Sequence, residues 1–499
     1  MKRLLAKRFN RTTVVLLGCI GFLAGLGIAH KHVAVPFFAV GSLVVFGMII
    51  LWKYPRKLQT MAVVVLLGLA LGSWRGTVYL QQLQPYQTLG MQKVTLTGTA
   101  NVDAVYGKNS QLSFVLRDVT FVKPYVQKVP GSIKVQGFGA TMVYRGDRLE
   151  VSGKLYPTRG ASQASISYAQ LKPLGGTFSF IDELRRKFAA GMQTALPEPV
   201  ASFGLGLLVG QRNTLPADIS QTLLMVGLTH IIAVSGYNLT ILLDASKRLM
   251  GNRSKVLSTL LALGLIAGFL LLAGTSASIV RAAVISVLGL TAWYYGRTVR
   301  PLLLILLAAA LTAYANPVYL WADISWYLSF LAFFGVLVVA PHVTKRLYKD
   351  KQPAMMIQIV IESLCAELLT VPLVLYIFGQ VSLVGLVANM LVVALIPLGM
   401  LLSLVAGLAG MLAGNIAGWF AWPANVLLTY MLDIAQLLSR LPHIFLQNRY
   451  LSGVDMVACY SALLLLVFLL ALREKRRNDW RAMYAAIKVR LNSATMLEK

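Results

Sequence analysis

The sequence predicts a polytopic α-helical membrane protein with a small extracytoplasmic β-barrel, OB-like, inserted after the third membrane span. Composition predicts the membrane class. Of 499 residues, 57% are hydrophobic, only 13% are charged and the mean hydropathy is +0.70, whereas soluble proteins carry about a quarter charged residues. Apolar runs of about 18 residues or more recur, each long enough to span roughly 30 Å of hydrocarbon.

The N-terminal segment, 1–89, is predicted to contain three spans, at 13–29, 33–52 and 58–80. Basic residues precede the first span and follow the second. Because Lys and Arg mark cytoplasmic loops, both positions should be cytoplasmic, and the third span should bring the chain outside. The first apolar run is long and has a poor cleavage signature, which favours a retained signal anchor over a cleaved signal peptide.

Residues 90–176 lack long apolar runs and show short stretches of alternating polarity. The stretches KVTLTGTANV, QLSFVLRDVTF, GSIKVQGF and DRLEVSGKLYP are typical of strands, and turn signals separate them. Four or five short strands in this length indicate a small barrel, for which an OB-fold is the expected type.

The predicted barrel is strongly basic. It contains eleven Lys and Arg residues against four Asp and Glu residues, on the side of the membrane where loop topology does not explain them. OB-folds bind single strands with basic grooves and stacking aromatics, and aromatic residues from Tyr106 to Tyr156 are interleaved here. The alternative is an aromatic core with a solvated charged face. The expected DNA-contacting residues are Lys108, Arg117, Lys134, Arg145 and Arg148.

Residues 177–215 are predicted to form amphipathic and packing helices on the outer membrane face. Phe180, Leu184, Phe188 and Met192 recur every four residues with basic residues between them, the pattern of an interfacial helix. The following VASFGLGLLVG has a Gly-rich face suited to close helix packing.

Residues 216–473 are predicted to form a second helical bundle, followed by a basic cytoplasmic amphipathic tail at 474–499. Basic loops orient most of its spans, but the turn near residue 411 has no charge to orient it. The candidate spans are 219–246, 256–273, 277–296, 301–316, 324–341, 355–378, 382–410, 412–440 and 453–472.

Ionisable and amide side chains inside these spans are candidate site residues, because a charge there costs roughly 2.5–3.5 kcal/mol on insertion scales. Arg281, near the outer end of its span, either snorkels to the headgroups or faces a polar pathway. Glu367 shares a helix face with Ser363 and Thr370, and Asn389 lies in the next span. Each alone could be interhelical glue, whereas several together favour a hydrated path through the bundle.

The stretch LTHIIAVSGYNLTILL (228–243) holds His230, Ser235, Gly236 and Asn238 inside one predicted span. No narrow helical stripe contains them all, so Ser235–Gly236 is a candidate helix break of the kind that borders a cavity in transporters. A Ser–His dyad needs hydrogen-bond contact, and the different faces of His230 and Ser235 argue against one. The three cysteines lie far apart in apolar stretches, so no metal or cofactor site is expected.

The run GLGLLVGQRNTLPADISQTLLMVGLTHIIAVSGYNLTILL resembles the signature of the ComEC family of competence proteins. Further similar stretches follow in order: SIVRAAVISVLGLTAWYYGR, NPVYLWADISWYLSFLAFFGVL, AELLTVPLVLYIFGQVS and ANMLVVALIPLG. The signature positions are held by Gly210, Arg212, Gly227, Leu228, His230, Ala233, Val234, Ser235 and Gly236.

The resemblance implies an inner-membrane channel that passes single-stranded DNA into the cytoplasm during natural transformation. It also implies partners: an outer DNA receptor, and a cytoplasmic helicase-like ATPase or single-strand-binding proteins that pull the strand. This chain has no Walker A loop of its own. Membrane lipid is the other expected contact.

Three departures accompany the resemblance. Tyr237-Asn238-Leu239 stands where members usually have Gly-Leu-His, and Glu367 where Gln is usual. Many members end in a metallo-β-lactamase-like nuclease domain with a His-x-His-x-Asp-His cluster, which this chain, with five histidines, does not contain. A short form is therefore expected, not itself an enzyme, with a separate nuclease for the other strand. The alternatives are a secondary transporter for a small anion or polymer precursor, and a scaffold.

Overall fold

The fold is that of a polytopic membrane protein, as the composition predicts. The computed structural model describes residues 10–31, 58–106, 111–140, 142–158, 162–176, 180–211, 214–232, 254–274, 277–297, 300–348, 353–467 and 469. Among these residues, five helices are long and apolar enough to cross a membrane: Arg11–His30, Thr60–Gln82, Ile324–Tyr348, Met356–Phe378 and Gly385–Leu412.

The described residues contain seventeen α-helices. In chain order they are α1 (Arg11–His30), α2 (Leu58–Thr88), α3 (Phe180–Ala195), α4 (Val200–Val209), α5 (Ala217–Met225), α6 (Thr229–Ile232), α7 (Lys255–Ala273), α8 (Ala277–Tyr294), α9 (Pro301–Ala315), α10 (Val318–Ala322), α11 (Ile324–Phe334), α12 (Ala340–Tyr348), α13 (Met355–Phe378), α14 (Gly385–Val392), α15 (Ile396–Leu412), α16 (Ala417–Ser439) and α17 (Gly453–Val467). The predicted span at 33–52 and the tail at 474–499 lie outside the described residues.

The chain divides into two compact units. The first comprises Met1–Ser220, Thr229–Tyr327 and Leu395–Leu432, and the second comprises Gln221–Leu228, Leu328–Ala394 and Asp433–Lys499. In the first unit, α1 packs along α2, and the Ser73 hydroxyl donates a hydrogen bond to the Gly25 carbonyl oxygen at 3.1 Å. In the second unit, α13 packs against α14 and against the π-helical turn Gly335–Val339 that joins α11 to α12.

A β-sheet domain lies between α2 and α3. Its strands are β1 (Lys93–Ala100), β2 (Val105–Tyr106), β3 (Leu112–Lys123), β4 (Gln127–Lys128), β5 (Ile133–Phe138), β6 (Asp147–Pro157) and β7 (Ala164–Gly176). β1 pairs with β3 and β6, β7 pairs with β6 and β5, and β5 pairs with β3. All these pairings are antiparallel except β5–β7, which is parallel. β7 is a long strand that the named sequence stretches did not include.

The interior of the sheet domain is apolar because alternate residues of each strand point inward. Leu96, Leu116 and Val151 are fully buried, and so is Phe121. The interleaved aromatics divide between the two alternatives: Phe114 and Phe121 are core, whereas Tyr125, Phe138 and Tyr144 are exposed.

The amphipathic helix α3 packs against the membrane helix α15 in the same unit through glycine. A Cβ atom at Gly191 would lie 2.7 Å from the Met411 backbone nitrogen, and one at Gly410 would overlap the Gly191 carbonyl oxygen. Phe188 and Met192 of α3 are also buried. The backbones therefore approach closely, as small residues permit in membrane helices, so the C-terminal half of α3 is a packing element.

Candidate functional site

Glu367 and Asn389 form a hydrogen-bonded pair in the second unit. Glu367 lies in the middle of α13 and Asn389 in α14, and the Asn389 side-chain amide donates to Glu367 Oε1 at 2.7 Å. Asn389 is only 4% exposed. The sequence predicted both residues as polar groups within spans, and the structure brings them together.

Further polar atoms surround this pair. Ser382 Oγ and Asn389 Oδ1 are buried and have no hydrogen-bond partner. Gly385 approaches so closely that a Cβ atom there would lie 3.4 Å from Glu367 Oε1, and one at Gly227 would lie 3.2 Å from the Ser382 Cβ. Buried polar atoms without hydrogen-bond partners are uncommon in proteins, and each calls for an explanation. We therefore treat Glu367, Asn389 and Ser382 as the candidate polar site of this unit.

Asn389→Leu should destabilise the protein by about 1.5 kcal/mol, the lower end for a hydrogen bond to a charged group, because it removes the donor from the half-buried Glu367 carboxylate. Adding Glu367→Gln should restore much of that loss, since a neutral amide tolerates burial better than a carboxylate. Thermal unfolding of the purified protein in detergent measures both. Equal Tm values for the wild type and Asn389→Leu would contradict an energetically significant pair.

Arg281 is fully buried in the first unit, with 1% of its surface exposed. One guanidinium nitrogen donates to the Ser325 carbonyl oxygen at 2.9 Å, and another lies 3.9 Å from Asp323 Oδ2. Asp323 Oδ1 in turn accepts from the backbone N–H and the hydroxyl of Ser325, at 2.9 and 2.8 Å. Arg281 of α8 is thereby joined to the capped N-terminus of α11.

His230 follows an interruption in the predicted span 219–246, which is not one continuous helix in its described part. α5 ends at Met225, and Gly227 adopts the left-handed conformation with φ +76°. The Leu228 N–H donates to the Leu223 carbonyl oxygen at 2.8 Å, the bond that closes a glycine-capped helix end. His230 is exposed in the short helix α6. This break precedes the predicted one at Ser235–Gly236; Ser235, Gly236 and Asn238 lie outside the described residues.

The candidate DNA-contacting residues of the sheet domain occupy different surroundings. Lys134 on β5 and Arg148 on β6 are exposed. Arg117 lies 3.8 Å from Asp118 and, with Lys128, lines a cleft of about 400 Å³. Lys108 lies outside the described residues. Lys134 and Arg148 therefore present positive charge to solvent, whereas the charge of Arg117 is partly offset by Asp118.

Arg145 belongs to an ion cluster that joins the sheet domain to α3. Its Nε lies 3.6 Å from Asp182 Oδ1, and an Arg185 nitrogen lies 3.4 Å from Asp103 Oδ2. Another Arg145 nitrogen donates to the Leu271 carbonyl oxygen at 3.5 Å. Burial lowers the pKa of Arg145, and Arg185 lowers it further, while Asp182 and Asp103 raise it. Its contacts are those of a residue that positions the domain.

Metal-ligating side chains do not cluster in the described part of the chain: no three His, Cys, Asp or Glu side chains there could hold an ion together. The cysteines Cys19, Cys365 and Cys459 are free thiols, and the first two are buried, as expected of small hydrophobic residues.

Together, the apolar helices, the buried polar pairs and the appended sheet domain define a multi-pass membrane protein with polar groups inside its helical units. The sequence model of the family described as Competence protein matches residues 207–473, more than half of the chain. The chain belongs to this family. The matched region contains His230, Arg281, Glu367 and Asn389.

One curated relative is ComE operon protein 3 of Bacillus subtilis (strain 168). It is 26% identical to this chain over 228 residues, which cover 45% of this chain and 28% of that protein. The alignment with this chain thus covers less than a third of the relative's length. No solved structure matches the chain.

Proposed function

We propose that the protein takes up DNA, as a channel that passes single-stranded DNA across the cytoplasmic membrane during natural transformation. The observation that carries this proposal is the family match over residues 207–473, the region that holds the candidate polar residues. The name of the Bacillus subtilis relative, ComE operon protein 3, agrees with it.

The proposal assigns the chain to five parts: N-terminal spans at 1–89, an OB-like domain at 90–176, helices of the outer face at 177–215, a channel domain at 216–473 and a basic tail at 474–499. The pairing order β1–β3–β5–β7–β6–β1 supports an OB-like barrel, because each of these strands has two neighbours. Basic residues flanking the spans support cytoplasmic termini and an outer position for the sheet domain.

In this proposal, the outer domain collects the strand and the channel domain passes it inward. Moving phosphates into a negative interior costs about 2.3 kcal/mol per charge per 100 mV, so an engine must pull. A cytoplasmic helicase-like ATPase or single-strand-binding proteins supply that force, an outer receptor delivers DNA, and a separate nuclease degrades the other strand. The hydrogen bond between Asn389 and Glu367 and the ion pair between Arg281 and Asp323 support a polar lining of this domain, or polar packing behind it.

His230→Ala should reduce transformation by at least about tenfold, the effect of losing one interaction of roughly 1.4 kcal/mol, without changing membrane insertion. The measurement is uptake of labelled DNA by a deletion strain that expresses each variant, with immunoblots of the membrane fraction. His443→Asn is the matched control, because His443 is an exposed turn residue with φ +58°, a conformation that Asn adopts readily.

Two outcomes would contradict parts of this proposal. Wild-type DNA uptake by the His230→Ala variant would show that His230 does not contribute to transport. Wild-type uptake by the deletion strain itself would refute DNA transport by this protein. Weak or absent DNA binding by residues 90–176, with no dependence on salt, would favour the transporter alternative.

A further inference from the structure

Tyr168 has a backbone conformation that bulky residues avoid. Its φ is +57° and its side chain is 70% exposed. The left-handed region is unfavourable for L-residues other than Gly, Asn and Asp. Residues held there cluster at functional sites, where the surrounding structure maintains them.

A β-bulge in β7 places Tyr168 in this conformation. On β6, Lys154 pairs with Ser167 and Ser152 pairs with Gln170, so that Tyr168 and the next residue share one position opposite Gly153. The extra residue is expelled from the ladder, and bulges of this kind re-aim a side chain. The bulge therefore directs the Tyr168 ring away from the domain core.

The Tyr168 ring lies beside a second exposed aromatic ring. Its centroid is 6.5 Å from that of Phe138 on β5, with the planes tilted by 37°. Phe138 is itself 45% exposed. Neither ring contributes to the interior, so the two rings together form an apolar surface that faces outward from β5 and β7.

Lysines border the two rings on the other side of β7. Lys154 on β6 pairs with Ser167, the residue before Tyr168, and Lys93 on β1 is directly opposite Lys154. The Lys154 ammonium lies over the Tyr156 ring, 5.7 Å from its centroid. Both lysines are exposed. Like charges directly opposite each other on a sheet destabilise it, and an anion bound between them would remove that cost.

These four residues form an oblique row, here called the aromatic–lysine row: Lys93, Lys154, Tyr168 and Phe138. They lie on four consecutive neighbouring strands, β1, β6, β7 and β5, and Phe138 is offset along its strand because it pairs with Gln170. At about 4.8 Å per strand, the row spans roughly 15 Å in the direction across the strands. It presents positive charge at one end and stacking surface at the other.

We propose that the aromatic–lysine row binds single-stranded DNA, with bases stacked on Tyr168 and Phe138 and phosphates bound by Lys154 and Lys93. A positively charged track beside stacking rings is the arrangement by which single strands are bound without sequence preference. A duplex keeps its base faces stacked internally and offers them no partner. This inference rests on the proposed function and specifies where the outer domain holds its substrate.

The test uses the full-length protein in detergent and a fluorescent oligonucleotide of about 16 nucleotides, the upper site size of one such domain. Tyr168→Asn should weaken single-strand binding by at least about fivefold, the loss of one stacked base. Its Tm should equal or exceed that of the wild type, because Asn accepts the left-handed backbone without a ring. Tyr168→Phe should keep binding, since it keeps the ring.

Lys93→Ala and Lys154→Ala should each lower the dependence of log Kd on log salt by about 0.7, the contribution of one phosphate contact to a single strand. Tyr125→Ala is the matched control, because Tyr125 is an exposed tyrosine of the same domain that lies outside the row. It should bind DNA like the wild type.

Wild-type affinity of Tyr168→Asn would overturn this inference, and so would equal binding of a blunt duplex with the same dependence on Tyr168. If a strain that expresses the same variant still takes up DNA, either binding result leaves the proposed function unaffected. Failure of the wild-type protein to bind or take up DNA would refute the function itself.

Discussion

Arg281→Ala is expected to cost about 3–5 kcal/mol of folding free energy, the penalty for removing one partner of a buried ion pair. Arg281 is 1% exposed, and its removal leaves the Asp323 carboxylate without a cation and the Ser325 carbonyl oxygen without its donor. The measurement is thermal unfolding in detergent, together with the amount of protein in the membrane fraction.

The double variant Arg281→Met with Asp323→Asn is the control for this prediction. Buried ion pairs replaced by neutral residues of similar volume often lose little stability, and Asn still caps the start of α11. The double variant should therefore regain most of the lost Tm. If Arg281→Ala keeps the wild-type Tm but abolishes DNA uptake, then Arg281 contacts the transported strand and the structural interpretation is wrong.

Gly410→Ala is expected to destabilise the protein by about 1–3 kcal/mol through overpacking. The added Cβ would overlap the Gly191 carbonyl oxygen, which is backbone and cannot rotate away as a side chain can. The α3–α15 contact would have to separate. Thermal unfolding is again the measurement.

Gly268→Ala is the matched control, because Gly268 lies inside the apolar helix α7 and a Cβ there meets nothing within 4 Å. It should be neutral or stabilising by about 0.5–1 kcal/mol, the helix preference of Ala over Gly. Equal Tm values for Gly410→Ala and Gly268→Ala would show that the close approach does not limit stability.

The membrane class and most helices could be predicted from the sequence because they depend on composition and length alone. The predicted spans at 13–29, 58–80, 324–341, 355–378 and 382–410 coincide with long apolar helices. In the sheet domain, strand β7 was not predicted from the sequence because its alternation of buried and exposed residues changes phase. Ile166 and Ala169 both point inward although three positions apart, since the bulge at Tyr168 inserts a residue between them.

The partners of the candidate site residues could not be predicted in the same way. Glu367 and Asn389 were recognisable as polar residues in apolar segments, but their pairing depends on how α13 and α14 pack. Arg281 was likewise recognisable, yet its partner Asp323 is 42 positions away in the loop ADIS. An Asp before an apolar helix is a cap signal, which is the one clue the sequence offered.

The ion cluster between the sheet domain and α3 sets the boundary at which this protein can be recombined with a relative. Asp103 and Arg145 belong to the sheet domain, whereas their partners Arg185 and Asp182 belong to α3. In a chimaera joined after β7, Asp103 and Arg145 would come from one protein and the residues that replace Arg185 and Asp182 from the other. Both ion pairs could then be lost or replaced by like charges. A junction after Ala195 transfers all four residues together and keeps both ion pairs. The segment that can be exchanged intact therefore includes α3 as well as the strands of the sheet domain.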